Sequence, residues 1–297
     1  MTEQIPAIRR AALIARPSLP AALETMREAA AWLAAHGCTP VIERDGAHAA
    51  QIDDRWEVVS RDALAACADV VIAFGGDGTL LDAARAVANS TSDVPLIGVN
   101  LGRLGFLTDI GRAEMTTALE ALLAGRTRTE TRLMLSTTVR SVQNRGVSAQ
   151  LALNDVVVTR GARSRMIDVE VRIDGQFVCH VKADGLIIAS ATGSTAYNLS
   201  AGGPIVHPSV DALLLTPIAP HTLTNRPVVL PASSRIAMHT TAGPHADLLV
   251  SVDGQTGVPL AHDDVVEVTR SPRLLRLVHT STRTHFDMLR EKLKWGN

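Results

Sequence analysis

The sequence is short of the residues that usually announce special chemistry. Its 297 residues include three cysteines, Cys38, Cys67 and Cys179, an odd number at wide spacing that argues against a disulfide framework. No Cys-x-x-Cys pair or His-Glu-x-x-His run offers metal ligands at turn or helical spacing, which argues against a structural zinc. The thiols are expected to be reduced, buried and inert. Aromatic residues make up 3% of the chain, and acidic and basic residues intermix to a formal net charge of -1. A basic groove interleaved with aromatics, the footprint of nucleic-acid binding, is therefore not expected. No run approaches the roughly 18 apolar residues of a membrane span, and the opening MTEQIPAIRR lacks the basic then apolar order of a secretory signal. These absences predict a soluble, cytoplasmic protein without a membrane partner. Also missing are a Gly-Lys dipeptide, which rules out a P-loop, and a third glycine after Gly76-x-Gly78, where Leu81 stands, so the dinucleotide fingerprint is incomplete.

What is present is a hydrophobic share of 46%, enough in a chain of this length for two cores of ordinary size. Residues 8–16, IRRAALIAR, read as a first parallel strand, followed by Ser18 as N-cap, Pro20 in the first turn, and an Ala/Leu-rich helix running to Gly37. The alternation repeats in VVIAF (70–74), TLLDAARAVAN (79–89), PLIGVN (95–100) and a helical pattern over 112–124. Continuously apolar strands with helical crossovers predict a parallel sheet covered on both faces. After Gly125 the texture changes to period two. VEVRI-DG-QFVCHV (169–181) places Asp174-Gly175 at a two-residue type I′ turn. RPVVLP, RIAMHT, DLLVSV, DVVEVT and RLLRLV are further short strand-like runs broken by Pro and Gly. The expected organisation is an α/β domain with a parallel sheet over 1–125 and a mostly β domain over 126–283. A C-terminal helix over 284–297 would pack back on the first.

Ligands of such a sheet bind beyond the carboxyl ends of its strands, and FGGDGT (74–79) falls at such an end. Gly75 and Gly76 can take positive φ and let the backbone approach a ligand. The helix that follows, with Thr79 and Asp82 at capping-box spacing, offers free N–H groups to an anion. A plain strand-to-helix turn would have the same composition. The acid tilts the balance: Asp77 among phosphate-cradling amides serves no anion directly, but it can take a proton from an alcohol attacking a phosphoryl group, or help position magnesium. The segment points to a kinase acting on a hydroxyl.

KADGLIIASATGSTAYNLSAGGPIV (182–206) reads as a strand, a Thr/Gly/Ser turn, and a short helix opened by Thr195 and stopped near Gly202-Gly203-Pro204. Hydroxyls at Thr192, Ser194 and Thr195, with the single tyrosine at 197, supply donors, acceptors and a stacking face suited to a nucleoside. An N-cap cluster beside a buried tyrosine is the competing reading. In LNDVVVT (153–159), Asn154 can address a base or sugar edge and Asp155 can accept from ribose hydroxyls, although such a pair is also a common turn before a strand. Arg165, Lys182 and Asp184 are, taken singly, ordinary solvated charges.

Taken in order, FGGDGT, NxGxLGFL (100–107), LND, DGLIIxSxTGSTAYxLSAGGPI (184–205) and PHTLTNRPVVLP resemble the NAD kinases of the bacterial type, over about residues 8–295. FGGDGT alone is shared with lipid kinases and phosphofructokinases, whereas the TGSTAY to GGPI segment joined to PHTL and RPVVLP is specific. The resemblance implies an N-terminal α/β domain and a β-rich C-terminal domain with NAD bound between them. ATP would be the phosphoryl donor, with a divalent cation such as Mg2+ for which no residue here is assigned as ligand. It implies Asp77 as the base acting on the adenosine ribose 2′-hydroxyl, with the amides of Gly75, Gly76 and Gly78 lining phosphate. Asn154 and Asp155 would hold adenosine, and Thr195, Ala196, Tyr197 and Ser200 match the nucleoside-binding turn and helix. Arg165, Lys182, Asp184 and Gln255 match positions touching the rest of NAD, in part across a subunit boundary, so a homodimer or homotetramer is expected.

The chain departs from the family pattern at three places. Asp155 stands where many relatives have Glu, Leu101 where many have Arg, leaving Arg103 as the nearby cation, and Ala189-Ser190-Ala191 where Ser-Thr-Pro is common. A charged residue at the position of Lys182 goes, in the family, with preference for NAD over NADH. Two other readings stay open: a lipid or sugar kinase sharing the GGDGT motif, and a noncatalytic NAD-binding sensor.

Overall fold

The computed structural model describes residues 7–52, 55–102, 104–141, 148–161, 166–222, 224–241, 247–255, 257–280 and 283–295. The chain divides into two compact units, Met1–Thr131 with Leu275–Asn297, and Arg132–Leu274.

In the first unit β1 (Arg10–Ala15), α1 (Pro20–Ala35), β2 (Thr39–Glu43), α2 (Arg44–Ala50), β3 (Glu57–Val59), β4 (Val70–Gly75), α3 (Asp77–Asn89), β5 (Leu96–Asn100), β6 (Ile110–Gly111) and α4 (Met115–Leu123) follow one another. The first five strands pair in parallel in the order 3-2-1-4-5. The order reverses between β1 and β4, and the carboxyl ends of those two strands flank the crevice where a sheet of this kind takes its ligands. β4 is buried along its whole length; Leu13, Ile72 and Phe74 pack with Met26 and Leu33 of α1 and Leu119 and Leu122 of α4. Burying the Phe74 side chain, which is 0% exposed, contributes about 1.5–3 kcal/mol.

α1 starts one residue later than its expected cap. Leu19 is the N-cap, extended and without a side-chain bond, because Pro20 at the first helical position holds its predecessor out of the helix. Ser18 instead accepts from Arg16 Nε at 3.1 Å. β2, α2 and β3 were not foreseen. α2 is capped by Glu43, whose carboxylate accepts from the Gly46 N–H at 3.0 Å, and ends at Gln51 with φ +55°. Cys38 is buried as expected, and burial, helped by the charge of Asp69, pushes its thiol up to about 11. Cys67 and Cys179 are partly exposed, because one ends a 3₁₀ turn and the other lies on a strand at the end of its sheet.

The remaining elements are β7 (Arg128–Arg140), β8 (Ser148–Ala152), β9 (Asp155–Arg160), β10 (Ile167–Ile173), β11 (Gln176–Ala183), β12 (Gly185–Ser190), α5 (Tyr197–Ser200), β13 (Ala212–Ile218), β14 (Val228–Pro231), β15 (Ile236–Thr240), β16 (Leu248–Val252), β17 (Val258–Leu260), β18 (Val265–His279) and α6 (His285–Leu293). The second unit is antiparallel, with strand order 14-13-12-9-16-17 in one sheet and 11-10-15-18 in the other. Val156, Val158, Leu186 and Ile188 of the first sheet share one core with Val169, Val171, Met238 and Val266 of the second. The opposite face of β9, β12 and β13 is covered too, where Val157, Ile187 and Leu214 pack under Ala201 and Val206, which is why these strands read as unbroken apolar runs. Asp174 and Gly175 have φ +53° and +81°, the double positive φ of the expected type I′ turn.

DVVEVT and RLLRLV form one strand, β18, and not two. It continues through Pro272, and a proline is tolerated where its missing N–H is not needed by the ladder. Its last residues pair in parallel with β5, Leu277 opposite Leu96. α6 opens on a capping box between Thr284 and Asp287 and buries Met288 and Leu289. No helix among the described residues is long and apolar enough to cross a membrane.

Candidate active site

β4 ends at Gly75 and α3 begins at Asp77, with Gly76 between them as an extended N-cap, φ -105° and ψ -170°. The positive φ allowed by Gly75 and Gly76 is not used. Gly75 is needed for space, since a Cβ there would lie 2.2 Å from Thr79 Oγ1. At Gly76 and Gly78 an added Cβ would meet nothing within 4 Å, and both are exposed, so the protein itself leaves this backbone open to a ligand. The Thr79 and Asp82 box does not form: the helix starts three residues earlier than that spacing requires, with Gly76 as N-cap, Thr79 packs on Gly75, and Asp82 pairs with Arg85. α3 therefore opens without a capping side chain, leaving its first N–H groups for an anion.

Asp77 is half-buried and its carboxylate is fixed from a distant turn. Oδ2 accepts from the Phe106 N–H at 2.8 Å. Oδ1 accepts from the Leu107 N–H at 3.2 Å, the Thr108 N–H at 3.1 Å and the Thr108 hydroxyl at 2.9 Å. Thr108 Oγ1 in turn accepts from Asn100 Nδ2 at 2.6 Å, and Asn100 Oδ1 accepts from the Gly102 N–H at 2.8 Å. A Cβ on Gly105 would lie 1.8 Å from Asp77 Oδ1. Asn100, Gly105 and Thr108 thus build the cradle of the acid. None of them is marked by chemistry in the sequence; Asn100 and Gly105 are signalled by their place in NxGxLGFL, and Thr108, the residue after it, is not. Each carboxylate oxygen has two lone pairs; with one donor among the described residues, Oδ2 keeps a direction open for a substrate proton. Leu101 packs against the core, and Arg103 lies outside the described residues.

In the second unit Asp155 begins β9 and is 4% exposed. Burial, and then the charge of Asp253, push its carboxyl up to about 7, and the N–H that Tyr197 donates to it offsets this only in part. Asp253, φ +49°, accepts from the backbone N–H groups of Leu153, Asn154 and Asp155 at 2.9, 2.7 and 3.2 Å, and its own N–H donates to the Asp155 carbonyl at 2.9 Å. Asp253 was not singled out in the sequence, although Asp253-Gly254 is a turn signal of the same type as Asp174-Gly175. A Cβ on Gly193 would lie 2.1 Å from the Asn154 carbonyl oxygen, which also accepts from the Ser190 N–H at 2.9 Å. The Thr/Gly/Ser turn and the Asn154-Asp155 pair are therefore in direct contact.

The hydroxyls of that turn divide. Ser194 Oγ donates to the Val206 carbonyl and accepts from its N–H, both at 3.0 Å, and Thr192 is buried, so these two belong to the scaffold. Buried Asn198 ties the loop together, donating to the carbonyls of Ser194 and Pro204 at 3.0 and 3.1 Å and accepting from Thr216 Oγ1 at 2.7 Å. The helix opens at Tyr197 and not at Thr195, because Thr195 is taken up by the preceding 3₁₀ turn and Ala196 breaks out of helical backbone at ψ -131°. Thr195 and Ala196 are partly exposed, Ser200 is exposed, and Tyr197 is 45% exposed, which disposes of the buried-tyrosine reading. Lys182 on β11 pairs with Asp168 at 3.4 Å, Asp184 accepts from Arg160 Nε at 3.1 Å, and Gln255 is exposed beyond the Asp253-Gly254 turn. Arg165 lies outside the described residues.

A parallel sheet presenting an oriented carboxylate beside an uncapped helix N-terminus, in a chain completed by a β-rich unit, defines a two-domain phosphotransferase. Family models agree in detail: the ATP-NAD kinase N-terminal domain matches residues 11–127 and the ATP-NAD kinase C-terminal domain matches residues 153–280. The chain belongs to the NAD kinase family and is an enzyme, a kinase. It is similar to the NAD kinase of Citrifermentans bemidjiense, 42% identical over 97% of this chain and 99% of that protein. Among solved structures it resembles a yeast NADH kinase complexed with NADH, TM-score 0.91 at 24% identity over 100% of this chain and 92% of the other, a likeness of fold. It also resembles an NAD kinase from Archaeoglobus fulgidus in complex with ATP, TM-score 0.73 at 25% identity over 96% and 98%.

Proposed function

We propose that this chain transfers the γ-phosphoryl group of ATP to the adenosine ribose 2′-hydroxyl of NAD, giving NADP and ADP. The observation that carries the mechanism is the Asp77 carboxylate, held by Phe106, Leu107 and Thr108 with Oδ2 keeping one acceptor direction. As the ribose oxygen attacks phosphorus, its proton passes to Asp77 and the bond to the β-phosphate oxygen breaks. Gly75, Gly76 and Gly78 with the opening amides of α3 receive phosphate. Asn154 and Asp155 bind adenosine, Thr195, Ala196, Tyr197 and Ser200 line the nucleoside, and Arg165, Lys182, Asp184 and Gln255 touch the rest of NAD. Lys182 favours NAD over NADH. The divalent cation of this reading arrives on the triphosphate, as suits magnesium, which keeps several waters and is bound through substrate phosphates. Assembly as a homodimer or homotetramer and a cytoplasmic location belong to the same reading.

Incubating the purified protein with ATP, magnesium and either NAD, NADH or diacylglycerol tests it. NADP formation, read with an NADP-specific dehydrogenase, is the expected outcome; binding without turnover would favour the sensor, and a phosphorylated lipid the other kinase.

A further inference from the structure

We infer that His279 is a positioning residue for the phosphoryl-transfer base: through Asp109 it fixes the 105–108 turn that holds the Asp77 carboxylate. The inference rests on the reading of Asp77 as that base. His279 closes β18 and is 8% exposed, and Asp109 is 5% exposed. Nδ1 of His279 lies 2.9 Å from Asp109 Oδ2. Asp109 directly follows Thr108, whose N–H and hydroxyl both bond Asp77 Oδ1. The turn is therefore clamped twice, by Asn100 on Thr108 and by His279 on the next residue. Both clamps are mounted on neighbouring parallel strands, since Leu277 of β18 pairs with Leu96 of β5, the strand that Asn100 ends.

The clamp is ionic. Burial by itself would lower the proton affinity of His279, but the bond to Asp109, together with the charges of Asp109 and Glu130, raises it above the ordinary histidine value. Glu130 Oε2 lies 3.4 Å from Nε2, close enough for charge attraction but without an aligned hydrogen bond. The other charges facing the cluster are Arg283, which donates to the Asp109 carbonyl at 2.7 Å and pairs with Glu114 at 3.1 Å, and Arg128, 3.1 Å from Glu130. Because the folded-state affinity is raised, the charged clamp is complete below the unfolded value of about 6.5 and is lost as pH rises through the folded one. A packed apolar side chain would close the same space without desolvating an ion pair.

The test compares wild type, His279→Gln, Asp109→Asn, the double variant and Asp77→Asn as full-length enzymes. Steady-state kinetics are followed across pH, with amide hydrogen exchange of the peptide covering the turn. His279→Gln is expected to lower kcat about 10-fold or more, with KM for NAD and ATP within about twofold. Exchange at 106–108 should rise while the core of β1, β4 and β9 stays protected, and the alkaline fall in kcat expected of wild type should be absent from the variant. Asp109→Asn should reproduce this, and the double variant should lose no more than either single one. Should His279→Gln fail to fold, Asp109→Asn carries the same readouts. Unchanged exchange at 106–108, or a loss of kcat accompanied by exchange rising everywhere, overturns the inference. An inactive Asp77→Asn beside a fully active His279→Gln sinks this inference alone, whereas a wild-type rate in Asp77→Asn removes the base reading and the inference with it.

Discussion

Replacing Asp77 by asparagine separates its anchoring of the 106–108 turn from the proposed task of accepting a proton. The amide can keep its oxygen at the Oδ1 position, where Leu107 and Thr108 donate. It then turns its NH2 toward the Phe106 N–H, which sits 2.8 Å from Oδ2 in the native protein. One donor is left facing another, at a cost of about 1–3 kcal/mol. At about 2–4 °C per kcal/mol for a unit of this size, Tm should fall by roughly 2–12 °C, leaving the enzyme folded at room temperature. Turnover should fall much further, by about 10²–10⁴-fold, the usual loss for a general base, which corresponds to about 3–5.5 kcal/mol of transition-state stabilisation. KM for NAD should stay close to wild type, because the lost interaction belongs to the transition state. The coupled NADP assay and a melting curve on the same preparation measure both quantities. A wild-type kcat with a lowered Tm would refute the base and leave Asp77 as an anchor of the 106–108 turn.

Gly105→Ala tests the same geometry from the opposite side: its Cβ would fall 1.8 Å from Asp77 Oδ1, and the displaced carboxylate should cost about 10²-fold in kcat with little change in NAD affinity. Asp155 predicts a pH dependence of stability. Its folded carboxyl titrates at about 7, above the unfolded value of about 3.9, so the folded state holds the extra proton and its contribution to stability declines from about pH 4 through about pH 7. Asp155→Asn should abolish that decline, gaining Tm relative to wild type at alkaline pH and losing the gain in acid. Lys182→Gly should raise turnover with NADH relative to NAD in a paired assay, and an unchanged ratio would remove Lys182 from specificity.

How far the sequence could be read depended on how local each signal was. VVIAF and GLIIA read as strands because both of their faces are covered, and the Asp174-Gly175 hairpin was legible because positive φ at two successive residues has its own composition. The region 39–59 was not legible: RDGAHAA has neither apolar period nor Ser, Thr or Asn cap, and its helix depends on a glutamate reaching forward from β2. Caps placed at Ser18, Thr79 and Thr195 are displaced to Leu19, Gly76 and Ala196, by one, three and one residues, because Pro20, Gly76 and Ala196 set those helix starts through the backbone.

The same division runs through the active site. An acid at the exit of β4, flanked by small residues and followed by a helix, is written in consecutive residues, where chain connectivity alone places Asp77 at the carboxyl end of a strand. What binds that acid lies 29 to 31 residues away in the chain, and the partner of the turn itself, His279 on Asp109, lies 170 residues away. No periodicity spans such distances. They are decided only when β4, β5 and β18 pair side by side, because hydrogen bonds of about 3 Å require the strands that carry the groups to be packed first.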